Sequence, residues 1–240
     1  MIDKDGALSR CQELVALALK QGADAADAAF RGESSESISV RLGELEDVSR
    51  SEGEGIGLRV LTGRRSATIQ TSDLSEASFK VLAERALEMA RHAPDDPYAG
   101  LAPEHLLFRG TLPDLDLADP AEPTPAALRE RAAACDDAAR AIAGVTNSNG
   151  AGASASRSVS ALATSHGVAY AAEATGRSLS ASVIAGEGSA MQTDHAWRSA
   201  RHAGDLPSPE EIGREAGKRA VVRVNPGAMP NKAMPVVFDP

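Results

Sequence analysis

The stretch that decides the fold is SISVRLGELEDVSRSEGEGIGLRVLTGRRSATIQTSDLS, residues 37–75. Its apolar residues recur at every second position, at Ile38, Val40, Leu42, Ile56, Leu58 and Val60. A period of two is typical of β-strands that bury one face. Short turns at Gly43-Glu44 and at 62–65 separate the runs, which indicates antiparallel neighbours rather than helical crossovers.

The same periodicity sets the strands around this stretch. We predict strands over 38–42, 45–51, 56–60 and 66–71, and a further strand from Ala25 to Arg31. The glycine-rich run Gly53–Gly57 leads into a strand, whereas a phosphate-binding loop leads into a helix N-terminus. We therefore interpret these glycines as a bulge or a tight turn.

Four amphipathic helices are predicted from apolar residues at helical spacing. They run over Gly6–Gln21, Glu76–His92, Pro125–Ala143 and Pro209–Val222. Ser75, Thr124 and Ser208 are suited to cap helix N-termini, and proline follows the last two of these caps. Gly213 and Gly217 share one side of the last helix, which predicts close backbone packing there.

A proline-rich, acidic segment divides the chain into parts. We predict an N-terminal α+β sub-domain over 1–93, an extended connection over 94–123, a second α+β sub-domain over 124–223, and the start of a truncated C-terminal domain over 224–240. The fold class is therefore α+β, with antiparallel sheets on which amphipathic helices pack.

The second sub-domain has strands built from serine, alanine and glycine. Turns are predicted at Asn149-Gly150, His166-Gly167, Gly176 and 186–188. Because small residues bury little area, we expect a helix or a partner chain to cover this sheet. Residues 234–240 read as the beginning of a buried strand, so we expect the sequence to continue beyond them.

Composition argues against two classes of partner. The formal net charge is −9 and the basic residues are scattered, so we expect no direct binding to nucleic acid. Aromatic residues are 3% of the chain, too few for base-stacking platforms. The polar N-terminus leads into an amphipathic helix, with no run that would span a membrane, so we expect a cytoplasmic protein.

No residue set matches a known catalytic pattern. The histidines, interpreted as surface residues, are His92, His105, His166, His195 and His202, and none has HExxH spacing. His195 and His202 are predicted to lie on opposite faces of one strand. Neither GxSxG nor GxxxxGK[ST] is present. We therefore assign no catalytic, cofactor-binding or metal-binding residue.

Four acidic residues and two cysteines are interpreted as structural or surface residues. The pairs Glu44/Glu46 and Asp95/Asp96 fall in a turn and in the connection, where solvated charge is expected. Cys11 and Cys135 lie in the apolar stripes of predicted helices. We expect each thiol to be a small buried hydrophobic group.

Residues 37–75 resemble the N-terminal region of the PmbA (TldE) family, which shows the pattern SVR.GE.E.V....G.G.G..V..G...G...T.DLS. The similarity continues in order at 95–101, 113–117, 147–150, 165–167, 178–185 and 235–240. One departure is Ala67, where the pattern tends to have glycine. The resemblance thus covers nearly the whole chain.

The resemblance implies one subunit of a metallopeptidase that digests unfolded or flexible peptides. In that family a TldD-like partner carries the zinc motif HExxxH, and the PmbA/TldE-like partner lacks it. The resemblance therefore implies no cofactor in this chain and a heterodimer with a TldD-like subunit that holds zinc. The peptide would lie between the subunits, and strands within 151–190 would supply a flat wall or a sheet edge.

Two other functions stay open at this point. One is a non-enzymatic interaction protein that modulates DNA gyrase or a toxin–antitoxin component, in line with an older label of the family. The other is a homodimeric peptidase with HExxxH in a C-terminal half of its own. Cleavage that requires a TldD-like subunit would favour the heteromeric peptidase over both.

Overall fold

The computed structural model describes residues 1–228 and 231–238. Its elements, in chain order, are α1 (Lys4–Lys20), β1 (Ala25–Arg41), β2 (Glu44–Thr62), β3 (Arg65–Thr71), α2 (Glu76–His92), α3 (Pro125–Arg140), β4 (Val145–Thr164), β5 (Ala169–Ala185), β6 (Gln192–Ala200) and α4 (Pro209–Val222). Short 3₁₀ turns lie at Glu104–Leu106, Gly188–Ala190 and Ala203–Asp205. The α+β class predicted from the sequence is confirmed.

The strands of the described residues form one antiparallel sheet in the order β3-β2-β1-β4-β5-β6. They are longer than the sequence predicted, because the five short strands expected before residue 72 are three continuous ones. Gly53, Gly55 and Gly57 all pair with β1 in regular register, so the predicted bulge or turn at 53–57 is wrong. Pairing along a long hairpin overrides the weak preference of glycine against strands.

Two of the predicted turns in the second half are also wrong. Asn149-Gly150 is a bulge inside β4, where the register with β5 shifts, and Gly176 pairs with Ser156 in mid-strand. The predicted turns at His166-Gly167 and 186–188 are confirmed as the connections that flank β5. Glycine alone does not separate a turn from a bulge, because both use the same backbone freedom.

The helices lie close to their predicted bounds. α2 and α4 match them, α1 begins two residues earlier at Lys4, and α3 ends at Arg140 rather than near Ala143. The three predicted caps are confirmed: the hydroxyl oxygens of Ser75, Thr124 and Ser208 each accept a hydrogen bond from a backbone N–H of the first helical turn. Each such cap contributes about 1 kcal/mol.

Both helix pairs pack on the same face of the sheet. The buried residues of β1 stay in phase from Ala26 to Val40, and those of β4 from Ala151 to Ala163. Helices α1 and α2 cover one end, where the largest buried side chains are Leu14, Phe30, Ile56, Leu58 and Phe79. Helices α3 and α4 cover the other end, with a core dominated by Ala132, Ala139, Leu179, Ile212, Ala216 and Ala220.

The length of the strands explains why two helix pairs are needed. A strand of 17 residues such as β1 is about 56 Å long, whereas a helix of the same length is about 25 Å long. One helix layer therefore covers less than half of the sheet. The two pairs leave an interval in the middle of the covered face.

The predicted sub-domains share one sheet, and each of the two cores draws residues from both of them. Val159 and Ala161 lie in the α1/α2 core, and Ile38 and Val40 lie in the α3/α4 core. The connection over 94–123 contains no strand and one 3₁₀ turn, Glu104–Leu106. Residues 234–238 are exposed and lie outside any strand, so a buried strand is not found there, and Asp239 and Pro240 lie outside the described residues. Within the described part of the chain, we find no helix long and apolar enough to cross a membrane.

Candidate functional site

A groove of about 780 Å³ occupies the interval between the two helix pairs. Its floor is formed by the middle parts of β1, β2, β4 and β5. Residues 1–3, which precede α1, form one wall, and residues 118–123, which precede α3, line the opposite side. Binding clefts in proteins typically measure about 300–1,000 Å³. The groove therefore has the size of a site for a short peptide or a small molecule.

Paired charges line the groove. Arg157 bridges two carboxylates, with Nη1 3.0 Å from Glu122 Oε1 and Nη2 2.9 Å from Glu173 Oε1. At the other wall the ammonium group of Met1 lies 2.9 Å from Glu52 Oε1, and this hydrogen bond holds the pKa of Glu52 below its usual range. The groove thus offers both donors and acceptors to a polar ligand.

One wall of the groove is a strap, which we define as Asp116–Ala121, and it lies along an open part of the sheet. Strand β6 pairs with residues 177–185 of β5, so within residues 1–228 and 231–238 the first half of β5 has no strand on that side. The strap takes that place, because the Thr175 N–H donates to the Leu117 carbonyl at 2.9 Å. The Asp119 N–H donates in turn to Thr175 Oγ1 at 2.8 Å.

Arg177 fixes the end of the strap from within the sheet. Its side chain is buried, with only 6% of the residue exposed. Nη2 donates to the Ala121 carbonyl at 2.6 Å, and Nη1 donates to the carbonyl oxygens of Ser156 and Gly176. Its Nε is buried, has no hydrogen-bond partner among the described residues, and lies 4.0 Å from Asp119 Oδ2. One donor of a buried guanidinium therefore stays unsatisfied.

The remaining strap contacts come from residues just beyond β6. His202 Nε2 lies 2.8 Å from the Asp116 carbonyl, and the Ala203 N–H donates to Asp119 Oδ2 at 2.8 Å. The hydrogen bond to Asp116, assisted by the charges of Asp116, Asp119 and Asp205, raises the pKa of His202. The N–H groups of Ala203 and Ala121 lower the pKa of Asp119. Both shifts favour the charged forms, a cationic His202 and an anionic Asp119.

The groove does not fit a zinc ion. Zinc takes three or four ligands from His, Cys, Asp and Glu at about 2.0–2.3 Å. Across residues 1–228 and 231–238, no three such side chains are grouped so as to hold a metal. The carboxylates of Glu122, Glu173 and Asp119 are already engaged by arginines or backbone N–H groups. Within the described residues, the groove therefore presents no ligand set for a zinc ion.

The histidines were interpreted as surface residues: His92, His105 and His195 are exposed, whereas His166 and His202 are half-buried. His195 lies in β6, but His202 lies beyond the end of that strand, so their placement on one strand is wrong. Among the acidic pairs, Glu44 and Glu46 are exposed at the β1–β2 hairpin, and Asp95 pairs with Arg65 at the surface.

Both cysteines are confirmed as buried groups without access to solvent. Burial raises the pKa of the Cys11 thiol to about 11. Burial and the nearby charge of Asp136 raise the pKa of Cys135 to about 12. A thiol reacts as the thiolate, so neither group is a nucleophile at neutral pH.

Comparisons with known proteins agree with this architecture. Models of the PmbA/TldA metallopeptidase family match residues 26–90, as domain 1, and residues 118–224, as the central domain. The chain belongs to the PmbA/TldE family. Metalloprotease PmbA of Escherichia coli O157:H7 is 34% identical over 225 residues, which are 93% of this chain and 50% of that protein. A PmbA homologue of Haemophilus influenzae is 34% identical over 225 residues, which are 93% of this chain and 49% of the homologue.

Solved structures of the family share the fold. A protein of Bacteroides thetaiotaomicron described as a modulator of DNA gyrase superposes with a TM-score of 0.84 at 23% identity, covering 95% of this chain and 52% of that one. TldE of Thermococcus kodakarensis gives a TM-score of 0.73 at 20% identity, covering 88% and 47%. The chain thus spans about half the length of the PmbA relatives that it matches.

Sequence reasoning missed the residues that build this site. Thr175 and Arg177 stand in a serine-rich strand, and Asp119 stands in a connection interpreted as solvated charge. The strap was recognisable only as a resemblance, because the PDLDL run at 113–117 matches the family. The one local signal was Arg177 itself, since an arginine inside a strand of small residues needs a polar partner opposite it if the strand is buried.

Proposed function

We propose that this chain is the non-metal, PmbA/TldE-like subunit of a TldD/TldE-type metallopeptidase, and that it holds flexible peptides while a TldD-like subunit supplies the zinc. Membership of a metallopeptidase family supports the reaction class. The observation that carries the role of this chain is the groove between the helix pairs, with its paired charges and its strap.

The groove suits a flexible peptide rather than a rigid ligand. Arg157 presents a planar fork that engages Glu122 and Glu173, and a peptide carboxylate that displaced the exposed Glu122 would bind in the same geometry. Serine and alanine side chains on the floor, such as Ser34, Ala155 and Ser156, leave room for a second backbone. Binding through backbone groups would give affinity with little dependence on sequence.

These contacts support different roles for the two subunits. The residues of this chain would bind and orient an extended peptide, and water attack on the amide would take place at zinc on the partner, where bound water is acidified to a pKa of about 7. We expect this arrangement in the cytoplasm. The strands at 151–190 would serve mainly as a wall, because β4 is interior and β5 lacks a neighbouring strand only over its first half.

Reconstitution tests the proposal directly. The chain, a purified TldD-like subunit from the same organism and their mixture are each incubated with an unstructured peptide, and cleavage is followed by mass spectrometry. We expect cleavage to be strongest in the mixture by at least tenfold. Arg157→Ala should raise KM with little change in kcat, whereas Arg85→Ala, on the exposed side of α2, should change neither.

Two outcomes would reject the proposal. Cleavage by this chain alone would show that it needs no metal-bearing subunit. Binding of the TldD-like subunit without any gain in cleavage would instead favour the non-enzymatic interaction protein as its function.

A further inference from the structure

The strap occupies a position that a separate polypeptide would also fit. It takes the place of a strand on the open half of β5, through the hydrogen bond from the Thr175 N–H to the Leu117 carbonyl. Unpaired strand edges accept extended chains by this same bonding. Here the segment that covers the edge belongs to the protein itself. The hydrogen-bonding groups and charges of that segment indicate which kind of peptide the edge would bind.

Most groups that face the strap are hydrogen-bond donors. The Thr175 N–H and Arg177 Nη2 donate to carbonyl oxygens of the strap, and the Ala203 N–H donates to the Asp119 carboxylate. Arg177 places positive charge beside Asp119, and the His202 ring lies 3.4 Å from a carboxylate oxygen of Asp116. Such a surface selects an extended segment that carries a carboxylate.

The strap satisfies this surface incompletely. The Arg177 side chain is 7% exposed, and its Nε is 4.0 Å from the nearest oxygen of Asp119, too far for a hydrogen bond. A buried donor without a partner is unfavourable, so the site has a group that its present occupant does not use. A glutamate, which is longer by one methylene, would bring a carboxylate oxygen nearer to Nε.

We propose that the strap, Asp116–Ala121, fills in cis a binding site for an extended acidic peptide, and that such a peptide binds when the strap is displaced. The site consists of the open edge of β5 at Thr175 together with Arg177, His202 and Ala203. The proposal deepens the proposed function, since it names a peptide class and a position, but binding at this site requires no cleavage and no second subunit.

Because the strap occupies the proposed site, peptide binding must be measured in a variant that releases the strap. A segment tethered at both ends competes at an effective concentration on the order of millimolar, so a free peptide with the same contacts will scarcely displace it. Asp119→Ala removes the carboxylate that accepts from Ala203 and Ala121. This variant should release the strap while leaving the β5 side of the site intact.

The test uses the whole chain and a fluorescein-labelled peptide with the sequence of residues 113–122, PDLDLADPAE. Fluorescence anisotropy should show at least tenfold tighter binding to the Asp119→Ala variant than to the unaltered chain. A peptide with glutamate at the place of Asp119 should bind more tightly still, and one with asparagine there more weakly. Glu104→Ala, an exposed carboxylate elsewhere in the connection, is the matched control and should behave as the unaltered chain does.

Hydrogen exchange shows whether the strap has been released and whether the peptide takes its place. Faster exchange at the Thr175 and Ala203 amides of Asp119→Ala, reversed by the peptide, supports the proposal. Faster exchange without peptide binding overturns it, and so does unchanged exchange, because Asp119 would then not hold the strap. Since no TldD-like subunit is present, peptide binding here together with failed reconstitution would keep this site and reject only the proposed function.

Discussion

The two ends of the sheet are covered by helix pairs that are packed in different ways. At the α1/α2 end, large side chains such as Phe79, Leu14 and Leu58 fill the space between helices and strands. At the α3/α4 end, alanine and glycine let the helices approach closely: a Cβ on Gly217 would lie 2.8 Å from the Ala139 carbonyl oxygen. The first end is therefore stabilised mainly by apolar area, and the second by close contact and polar bonds.

A buried carboxylate is the clearest sign of this difference. Asp136 on α3 is fully buried, and its oxygens accept from Ser148 Oγ at 2.5 Å, the Gly43 N–H at 3.1 Å and Arg140 Nε at 2.9 Å. Ser148 Oγ accepts in turn from the Gly150 N–H at 2.8 Å. One side chain thus joins α3 to the β1–β2 turn and to the bulge of β4.

The largest effect is expected from removing this carboxylate. Asp136→Ala leaves the Gly43 N–H, the Ser148 hydroxyl and Arg140 Nε without their shared acceptor, and should lower the free energy of unfolding by about 3–5 kcal/mol. Urea denaturation followed by circular dichroism measures it. The neighbouring Asp137→Ala removes an exposed partner of the same Arg140 and should cost less than about 1 kcal/mol. Equal losses in the two variants would contradict the account.

Truncation of a large side chain tests the other end. Leu58 is fully buried under α1 and α2, and Leu58→Ala should cost about 3 kcal/mol through lost apolar burial and the cavity left behind. Leu58→Met, which keeps the volume, should cost less than about 1.5 kcal/mol in the same denaturation experiment. A loss as large for methionine as for alanine would show that the space at this end does not decide stability.

Addition of a methyl group should harm the α3/α4 end specifically. Gly217→Ala places its Cβ against Ile142 and the Ala139 carbonyl, so overpacking should outweigh the gain of about 1 kcal/mol that alanine brings to a helix interior, with a net loss of about 1–2 kcal/mol. The control is Gly53→Ala in β2, where an added Cβ meets nothing within 4 Å. Stabilisation of the chain by Gly217→Ala would contradict the close approach.

The smallest effect concerns pH and the strap between the two ends. The folded pKa of His202 is raised, so its contribution is complete below the ordinary histidine pKa of about 6.5 and is lost as pH rises through the raised value. The lowered pKa of Asp119 keeps its own contribution in place until acid conditions. The strap should be held most firmly at pH values between the lowered pKa of Asp119 and the raised pKa of His202.

Hydrogen exchange measures this dependence. After correction for intrinsic rates, protection of the Ala203 amide should fall from mildly acidic to mildly alkaline pH. His202→Gln should remove the dependence, whereas His92→Gln, on the exposed end of α2, should leave it unchanged. Protection that rises with pH would reverse the assigned sign.

Much of this comparison was visible in the sequence, and the exceptions have physical reasons. Period-two alternation and the caps at Ser75, Thr124 and Ser208 predicted the helices and the antiparallel pairing, and Gly213 and Gly217 predicted the close packing of α4. The lengths of the strands could not be predicted. Glycine at 53–57 and at 176 indicates a turn when only its neighbours in sequence are considered, but pairing with long adjacent strands keeps these residues in a strand.

The site was less predictable than the fold. Asp119, Thr175 and His202 are far apart in the sequence. They come together because β6 ends beside residue 177 of β5, and the strap lies along the part of β5 that β6 does not reach. No pattern of residues in the sequence shows where β6 ends relative to β5. The burial of Arg177 similarly depends on the strap, which carries no periodic signal.

We propose that this chain positions polypeptide and leaves the activation of water to a metal on another subunit. Zinc content of the purified chain, measured by elemental mass spectrometry alongside peptide cleavage, tests it most directly. The account predicts zinc well below one ion per chain and no cleavage by the chain alone. One zinc ion per chain, with cleavage that is lost when one of its own histidines is replaced, would contradict it.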